Sequence, residues 1–306
     1  MSRAVPRLIR SPSEIRAWTR EVRGRGESVG FVPTMGALHP GHLALVEVAR
    51  ARADRVVVSV FVNPTQFGPN EDFDRYPRDL DADLAACASA SADVVYTPGV
   101  EAMYPPDSCT EVTVSGLTGG LCGAFRPGHF TGVATVVAKL FNQVGPCRAV
   151  FGRKDYQQLK VIERLVRDLD LDVEVIGMPT VREADGLALS SRNRYLGPEA
   201  RRRALALVEG LSAAWRLFDE RMGRVPAGEL RRVAQAPLAE RLDRIDYVEV
   251  CNPDTLEPID ADRMPDGRAL VAMAGWLGRT RLIDNCVLGE DLNPFPGNVD
   301  PSRVEV

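Results

Sequence analysis

The segment that most constrains this chain is Arg55–Val62, RVVVSVFV. A strand with one wet face alternates apolar and polar residues. An unbroken β-branched run needs apolar cover on both faces, as in a parallel sheet flanked by helices. The run is far shorter than the roughly 20 residues that span a bilayer. Its neighbours repeat the theme. Ser11-Pro12-Ser13-Glu14 carries a Ser cap, a Pro at the first helical position and a Glu three residues after the cap, which predicts a helix to about Arg23 ending at Gly24. Strands are expected at 28–33, 55–62, 93–97, 149–152 and 173–177, with helices at 41–53, 79–91, 131–144 and 157–169. This alternation predicts right-handed crossovers and an α/β fold, a Rossmann-like doubly wound parallel sheet.

After about Thr180 the order changes. Helices at 198–221 and 227–242 precede strand-like stretches at 247–251, 269–274 and 281–286, so a smaller C-terminal α+β domain with an antiparallel sheet is expected. The division is 1–180 and 181–306, with a loose tail from about 289, where Pro, Gly, Asp and Asn gather. At 306 residues, 45% hydrophobic and 26% charged, the chain can bury a sizeable core, which excludes a disordered or fibrous protein. With 38 basic and 42 acidic residues, net charge -4, it lacks the basic surplus of a general nucleic-acid binder, yet a local basic site for small anions is allowed. Six cysteines include no Cys-x-x-Cys pair, so zinc-finger spacing is missing. The opening MSRAVPRLIR lacks a signal peptide's apolar core, and a reduced, cytoplasmic setting is expected.

The chemistry-bearing segments sit at predicted strand ends, where ligands bind in doubly wound sheets. PTMGALHPGH (33–42) follows one strand and opens a helix. Free N–H groups and the helix dipole attract anions there, Gly36 and Gly41 admit close approach, and His39 and His42 can reach one phosphate chain. The competing readings are a metal pair or capping histidines. FVNPTQFG (61–68) offers the amides of Asn63 and Gln66, which suit a hydroxy acid, although Asn-Pro is also an ordinary turn. RPGHFTG (126–132) reads equally as a second anion loop or a Gly/Pro loop. GRKDYQQ (152–158) carries Lys154, one of only three lysines, able to neutralise phosphate charge during transfer; a solvated Lys-Asp helix start is the alternative. Ser190, Ser191 and Arg192 form either a phosphate clamp or a capping turn.

Together PTMGALHPGH, FVNPTQFGPNEDFDRYPRDL (61–80), FRPGHFTGVATVVAKLFNQV (125–144), FGRKDYQQL (151–159) and DGLALSSRNRYL (185–196) resemble the AMP-forming pantoate–β-alanine ligase (pantothenate synthetase) family over nearly the whole chain. The His-x-Gly-His element alone resembles only the wider nucleotidyl-transferase superfamily. The resemblance implies a fold of that superfamily's type, with a smaller domain closing over the site, and a cytoplasmic homodimer. It implies ATP and Mg2+, no nucleic-acid or membrane partner, and a two-step reaction through pantoyl adenylate.

By the same resemblance, Met35 to His42 line the ATP site, with His39 and His42 on the phosphates and His42 the proton donor. Gln66 and Gln158 hold pantoate, Gln66 also reaching β-alanine, and Asn63 assists. Gly152, Lys154 and Asp155 contact ATP, Lys154 through phosphate and Asp155 through the ribose. Val181, Leu189, Ser190, Ser191 and Arg192 complete that site from the second domain, and Tyr76, Arg126 and His129 stand near the substrate end. Arg153 departs from the family, where glutamate is common. The acidic stretch Asp79, Asp81, Asp83 reads either as an approach to Mg2+, with Asp83 as ligand, or as helix-start charge. Rival functions are a nucleotidyltransferase making a dinucleotide or CDP-linked product, and an ATP-sensing module without turnover.

Overall fold

The structure is a computed structural model that describes residues 5–69, 71 and 73–295. The chain forms two compact units, one of residues 1–118 with 126–180, the other of 119–125 with 181–306. In order, the first holds β1 (Arg7–Ile9), α1 (Pro12–Gly24), β2 (Val29–Thr34), α2 (Pro40–Arg52), β3 (Arg55–Val60), α3 (Leu80–Ser89), β4 (Val94–Tyr96) and α4 (Val100–Met103). Helix α5 (Leu121–Phe125) packs in the second unit, although the sequence assigned it to the first. Its Cys122 Sγ lies 3.2 Å from the Tyr247 hydroxyl, and Phe125 meets the Tyr247 ring. The first unit then resumes with α6 (His129–Val144), β5 (Cys147–Gly152), α7 (Tyr156–Asp168) and β6 (Val173–Met178).

All six strands are parallel, in the order β1-β4-β3-β2-β5-β6. Alternate residues of the apolar runs serve opposite faces, as a period of two requires. Val32, Val56, Val58 and Val95 pack with Leu45, Val46 and Ala49 of α2 and Cys87 of α3. Their neighbours meet α6 instead: Phe31 stacks edge-on against Phe141, and Tyr96 donates from its hydroxyl to Gln143 Oε1 at 2.7 Å. Strand β3 ends at Val60 rather than Val62, because Pro64 cannot donate a ladder hydrogen bond and Asn63 caps a 3-10 turn, Pro64–Gln66. The short edge strand β1 is too brief to leave a periodic signal. The capping box at Ser11 and Glu14 forms as its sequence predicts.

The decisive topological feature is that β2 and β5 are neighbours. From β2 the sheet extends one way through β3 and β4, and from β5 the other way to β6. The strand order reverses between β2 and β5, and their carboxyl ends are where such a sheet binds ligands.

The second unit holds α8 (Pro198–Arg203), α9 (Ala206–Glu220), α10 (Ala227–Arg241) and an antiparallel sheet of β7 (Arg244–Cys251), β8 (Ala269–Leu277) and β9 (Thr280–Leu288) in sequential order. The single helix expected over 198–221 is broken at Ala204–Leu205 by i→i−3 bonds, Leu205 N–H to Arg202 O and Leu207 N–H to Ala204 O. Leu207, Leu211, Leu230 and Leu238 pack on Val250, Val271 and Met273 to make this unit's core. The tail expected from about 289 is held through Phe295: Trp215 donates to Asp291 O and Ser212 to the buried Asn293. Residues 296–306 lie outside the described residues.

Candidate active site

The loop after β2 is shaped by main-chain demands. Gly36 has φ +79° and Ala37 φ +52°. A Cβ on Gly36 would stand 2.7 Å from Asp83 Oδ2 and 2.9 Å from Val60 Cγ1, so only glycine fits. Buried Asp83 accepts the Ala37 N–H (3.1 Å) and the Leu38 N–H (2.8 Å), one on each oxygen. Both oxygens of the Asp83 carboxylate thus hold the turn. Asp79 caps α3 by accepting the Ala82 N–H, and Asp81 lies in that helix's first turn. Among the described residues, no group of three or more His, Cys, Asp or Glu could hold a metal ion.

Asp83's turn delivers His39 to the start of α2, extended at φ −134°, followed by Pro40 at the first helical position and Gly41 behind it. The His39 and His42 rings stack with centroids 4.0 Å apart. Burial, then the His39 ring and the Lys154 charge, push the His42 imidazole down to about 3. His42 is therefore neutral near pH 7. Its Nδ1 accepts the His39 N–H at 3.4 Å, which leaves the proton on Nε2. Lys154 and Asp155 follow β5, with Nζ 3.7 Å from the Asp155 carboxylate, and both act electrostatically on His42. The β2 loop and the β5 loop, far apart in sequence, thus meet at the switch of strand order. Arg153 instead lies over the Tyr156 ring at 5.7 Å.

After β3, Asn63 is buried and fully engaged within the protein. Its Oδ1 accepts from Thr65 and Tyr104, and its Nδ2 donates to Gly132 O (3.1 Å) and Gln66 Oε1 (3.2 Å). Gln66 Nε2 faces the Met35 sulfur at 2.9 Å. Arg126 and His129 fasten this loop: Arg126 grips Glu71 through two hydrogen bonds, and both donate to the Gln66 carbonyl. Because Arg126 also donates to His129 Nε2, the proton of His129 is on Nδ1. Burial and Arg126 push His129 down to about 4. Tyr76 is buried with its ring against Phe67, so it builds the loop's aromatic support. Gln158 is half-buried in the first turn of α7, while its neighbour Gln157 is turned inward to donate to Leu117 O. Tyr104 and Gly132 were not singled out from sequence. Gly132 lies inside a motif, but Tyr104 has no local signal.

The remaining predicted residues lie in the second unit. Val181 O accepts the Leu189 N–H at 2.9 Å, and Arg182 and Ala188 form a β-bridge. Arg182 anchors this loop through two bonds to buried Asp284. Ser190 accepts the Arg192 N–H and caps the 3-10 turn Ser191–Tyr195.

The two depressed imidazoles set a pH dependence for the unliganded protein. An unfolded histidine protonates near 6.5, whereas folded His129 and His42 resist protonation until about 4 and 3. The unfolded state thus binds more protons below pH 6.5, and their stabilising contribution, full above that value, is lost as pH falls. The expected loss between pH 6.5 and 5 approaches about 1.4 kcal/mol per pH unit per histidine. Denaturant midpoints at pH 7, 6 and 5 check this, and an unchanged midpoint would contradict it.

The sequence profile of the family described as pantoate-beta-alanine ligase matches residues 7–287, which takes in both units. The chain belongs to that family. Pantothenate synthetases from Pelotomaculum thermopropionicum and Moorella thermoacetica are 56% and 54% identical to it, over 91% and 92% of this chain and 97% and 98% of theirs. A solved pantothenate synthetase of Thermus thermophilus is 50% identical, with a TM-score of 0.84 across 95% of this chain and 100% of that one. The pantoate-beta-alanine ligase of Francisella tularensis, solved with beta-gamma ATP and beta-alanine, is 30% identical with a TM-score of 0.72, across 94% of this chain and 99% of that one. As a pantoate–β-alanine ligase, the chain needs no protein nucleophile. What such a ligase must supply is a cradle for a triphosphate beside a cradle for a hydroxy acid.

Proposed function

We propose that the protein condenses pantoate with β-alanine, using ATP and releasing AMP and pyrophosphate. A pantoate carboxylate oxygen attacks the α-phosphorus, and the bond to the bridging oxygen breaks to release pyrophosphate. The β-alanine amine then attacks the acyl carbon of the mixed anhydride, the bond to AMP breaks, and the nitrogen loses a proton. Adenylation turns a poor leaving group into a good one, so the enzyme's work is positioning and charge stabilisation.

The observation that carries this reading is the meeting of His42 and Lys154 across the β2–β5 switch. His42 offers a neutral Nε2–H to a phosphate oxygen, His39 stands beside it, and Lys154 offsets the charge that builds on the departing pyrophosphate. Met35, Gly36 and Gly41 flank the phosphates, and Gly152 and Asp155 contact the nucleoside. Gln66 and Gln158 take pantoate, with Asn63, Arg126 and His129 acting through the Gln66 loop. Val181 and Leu189 to Arg192 are assigned to the nucleotide on the family resemblance. Mg2+ belongs to the substrate, riding on the ATP phosphates with several of its own waters. We place the reaction in the cytoplasm, where cysteines outside disulfides stay reduced, and assign a homodimer. Among the described residues, no helix is long and apolar enough to cross a membrane.

AMP release by the purified protein, with each substrate omitted in turn, tests the function. Release is expected only with ATP, pantoate and β-alanine together. Turnover with another acceptor but not pantoate would favour the rival nucleotidyltransferase, and ATP binding without turnover the sensing module.

A further inference from the structure

We propose that Tyr104 is a positioning residue for this reaction: through Asn63 it fixes which end of the Gln66 amide faces the acid substrate. The proposal rests on the reading that Gln66 binds pantoate.

Two main-chain groups identify which end of the Asn63 amide is the oxygen and which the NH2. The Thr65 N–H, which can only donate, reaches Asn63 Oδ1 at 3.4 Å, and the Gly132 carbonyl, which can only accept, lies 3.1 Å from Nδ2. The Tyr104 hydroxyl donates to the same Oδ1 at 2.9 Å, the shortest of its contacts, and the Thr65 hydroxyl adds another at 3.0 Å. Burial raises the Tyr104 phenol above its usual value, so it keeps the proton it donates. With its oxygen held by these donors, Asn63 must present hydrogens to Gln66. Gln66 Oε1 is therefore the acceptor, and its NH2 is turned the other way, where its one protein partner among the described residues is the Met35 thioether, a weak acceptor. An amide presented by its NH2 selects oxygen acceptors, which a carboxylate and its neighbouring hydroxyl supply. If Asn63 turned over, Gln66 would follow, and a carbonyl oxygen would confront the carboxylate.

The ring of Tyr104 is fixed independently of its hydroxyl. It packs near Phe61, with centroids 6.4 Å apart, and beneath Lys139 Nζ at 5.7 Å. Tyr104→Phe therefore removes one hydrogen bond while keeping the packing.

The test compares wild type, Tyr104→Phe, Gln66→Ala and the double variant. Initial slopes give kcat/KM for pantoate even where saturation is out of reach, and KM for ATP and the thermal midpoint are measured alongside. Tyr104→Phe is expected to lower kcat/KM for pantoate about 5-fold, the scale of one hydrogen bond, with KM for ATP unchanged. In the Gln66→Ala background the same substitution should cost nothing further. Equal losses toward ATP, or a full Tyr104→Phe effect without Gln66, would overturn the relay while leaving Gln66 in place. If Gln66→Ala itself spares pantoate use, the reading of Gln66 fails, and the relay with it.

Discussion

Lys154→Ala should slow pantoate-dependent pyrophosphate release by about 10²-fold or more, the scale of losing one charge-stabilising donor. Negative charge gathers on the oxygens around the α-phosphorus and on the leaving pyrophosphate. An ammonium group at the carboxyl end of β5, close enough to depress His42, is placed to meet it. The adjacent arginine is no substitute, because the Arg153 guanidinium lies over the Tyr156 ring. Lys154→Arg should recover only part of the rate, since a planar fork does not reproduce a compact point charge. Single-turnover measurement of pyrophosphate checks both variants, and a near-normal rate in Lys154→Ala would remove it from the mechanism.

Gly132→Ala should damage pantoate use on a comparable scale by a different route. A Cβ at this position would lie 2.5 Å from Thr65 O, 2.6 Å from Thr65 C and 2.8 Å from Gln66 N. These are main-chain atoms, so no side chain can swing aside and the turn 64–66 must move. Overpacking of this kind costs typically 1–3 kcal/mol of stability. Displacing the Gln66 turn by about 1 Å is expected to lower kcat/KM for pantoate by about 10²-fold while changing KM for ATP little. Denaturant midpoints and steady-state kinetics check the two effects together. A variant with native stability and native pantoate use would show that α6 does not set the turn.

How much of this was legible in the sequence depended on how local each cause is. The cap at Ser11 and the run Arg55–Val60 announce themselves because capping and two-sided burial act within a few residues. Strand β1 gives no signal, since three residues at an edge gain their order only from pairing with β4. The loops proposed to hold phosphate stand out because a glycine-bearing segment after a buried strand has a general meaning. Which loops meet could not be read, because that depends on β2 pairing with β5 across more than a hundred residues. Asp83 shows the same limit. An acidic residue at a helix start suggests a metal or a cap, and only its distance to the Ala37 and Leu38 amides shows that it holds a turn 45 residues away. Tyr104 was invisible for the same reason.

Transfer of AMP to pantoate should take place at this site before any amine arrives. Exchange of labelled pyrophosphate into ATP, with pantoate present and β-alanine left out, isolates that step. Exchange is expected to require pantoate and to collapse in Lys154→Ala. No exchange until β-alanine is added, or exchange that proceeds equally without pantoate, would contradict that expectation.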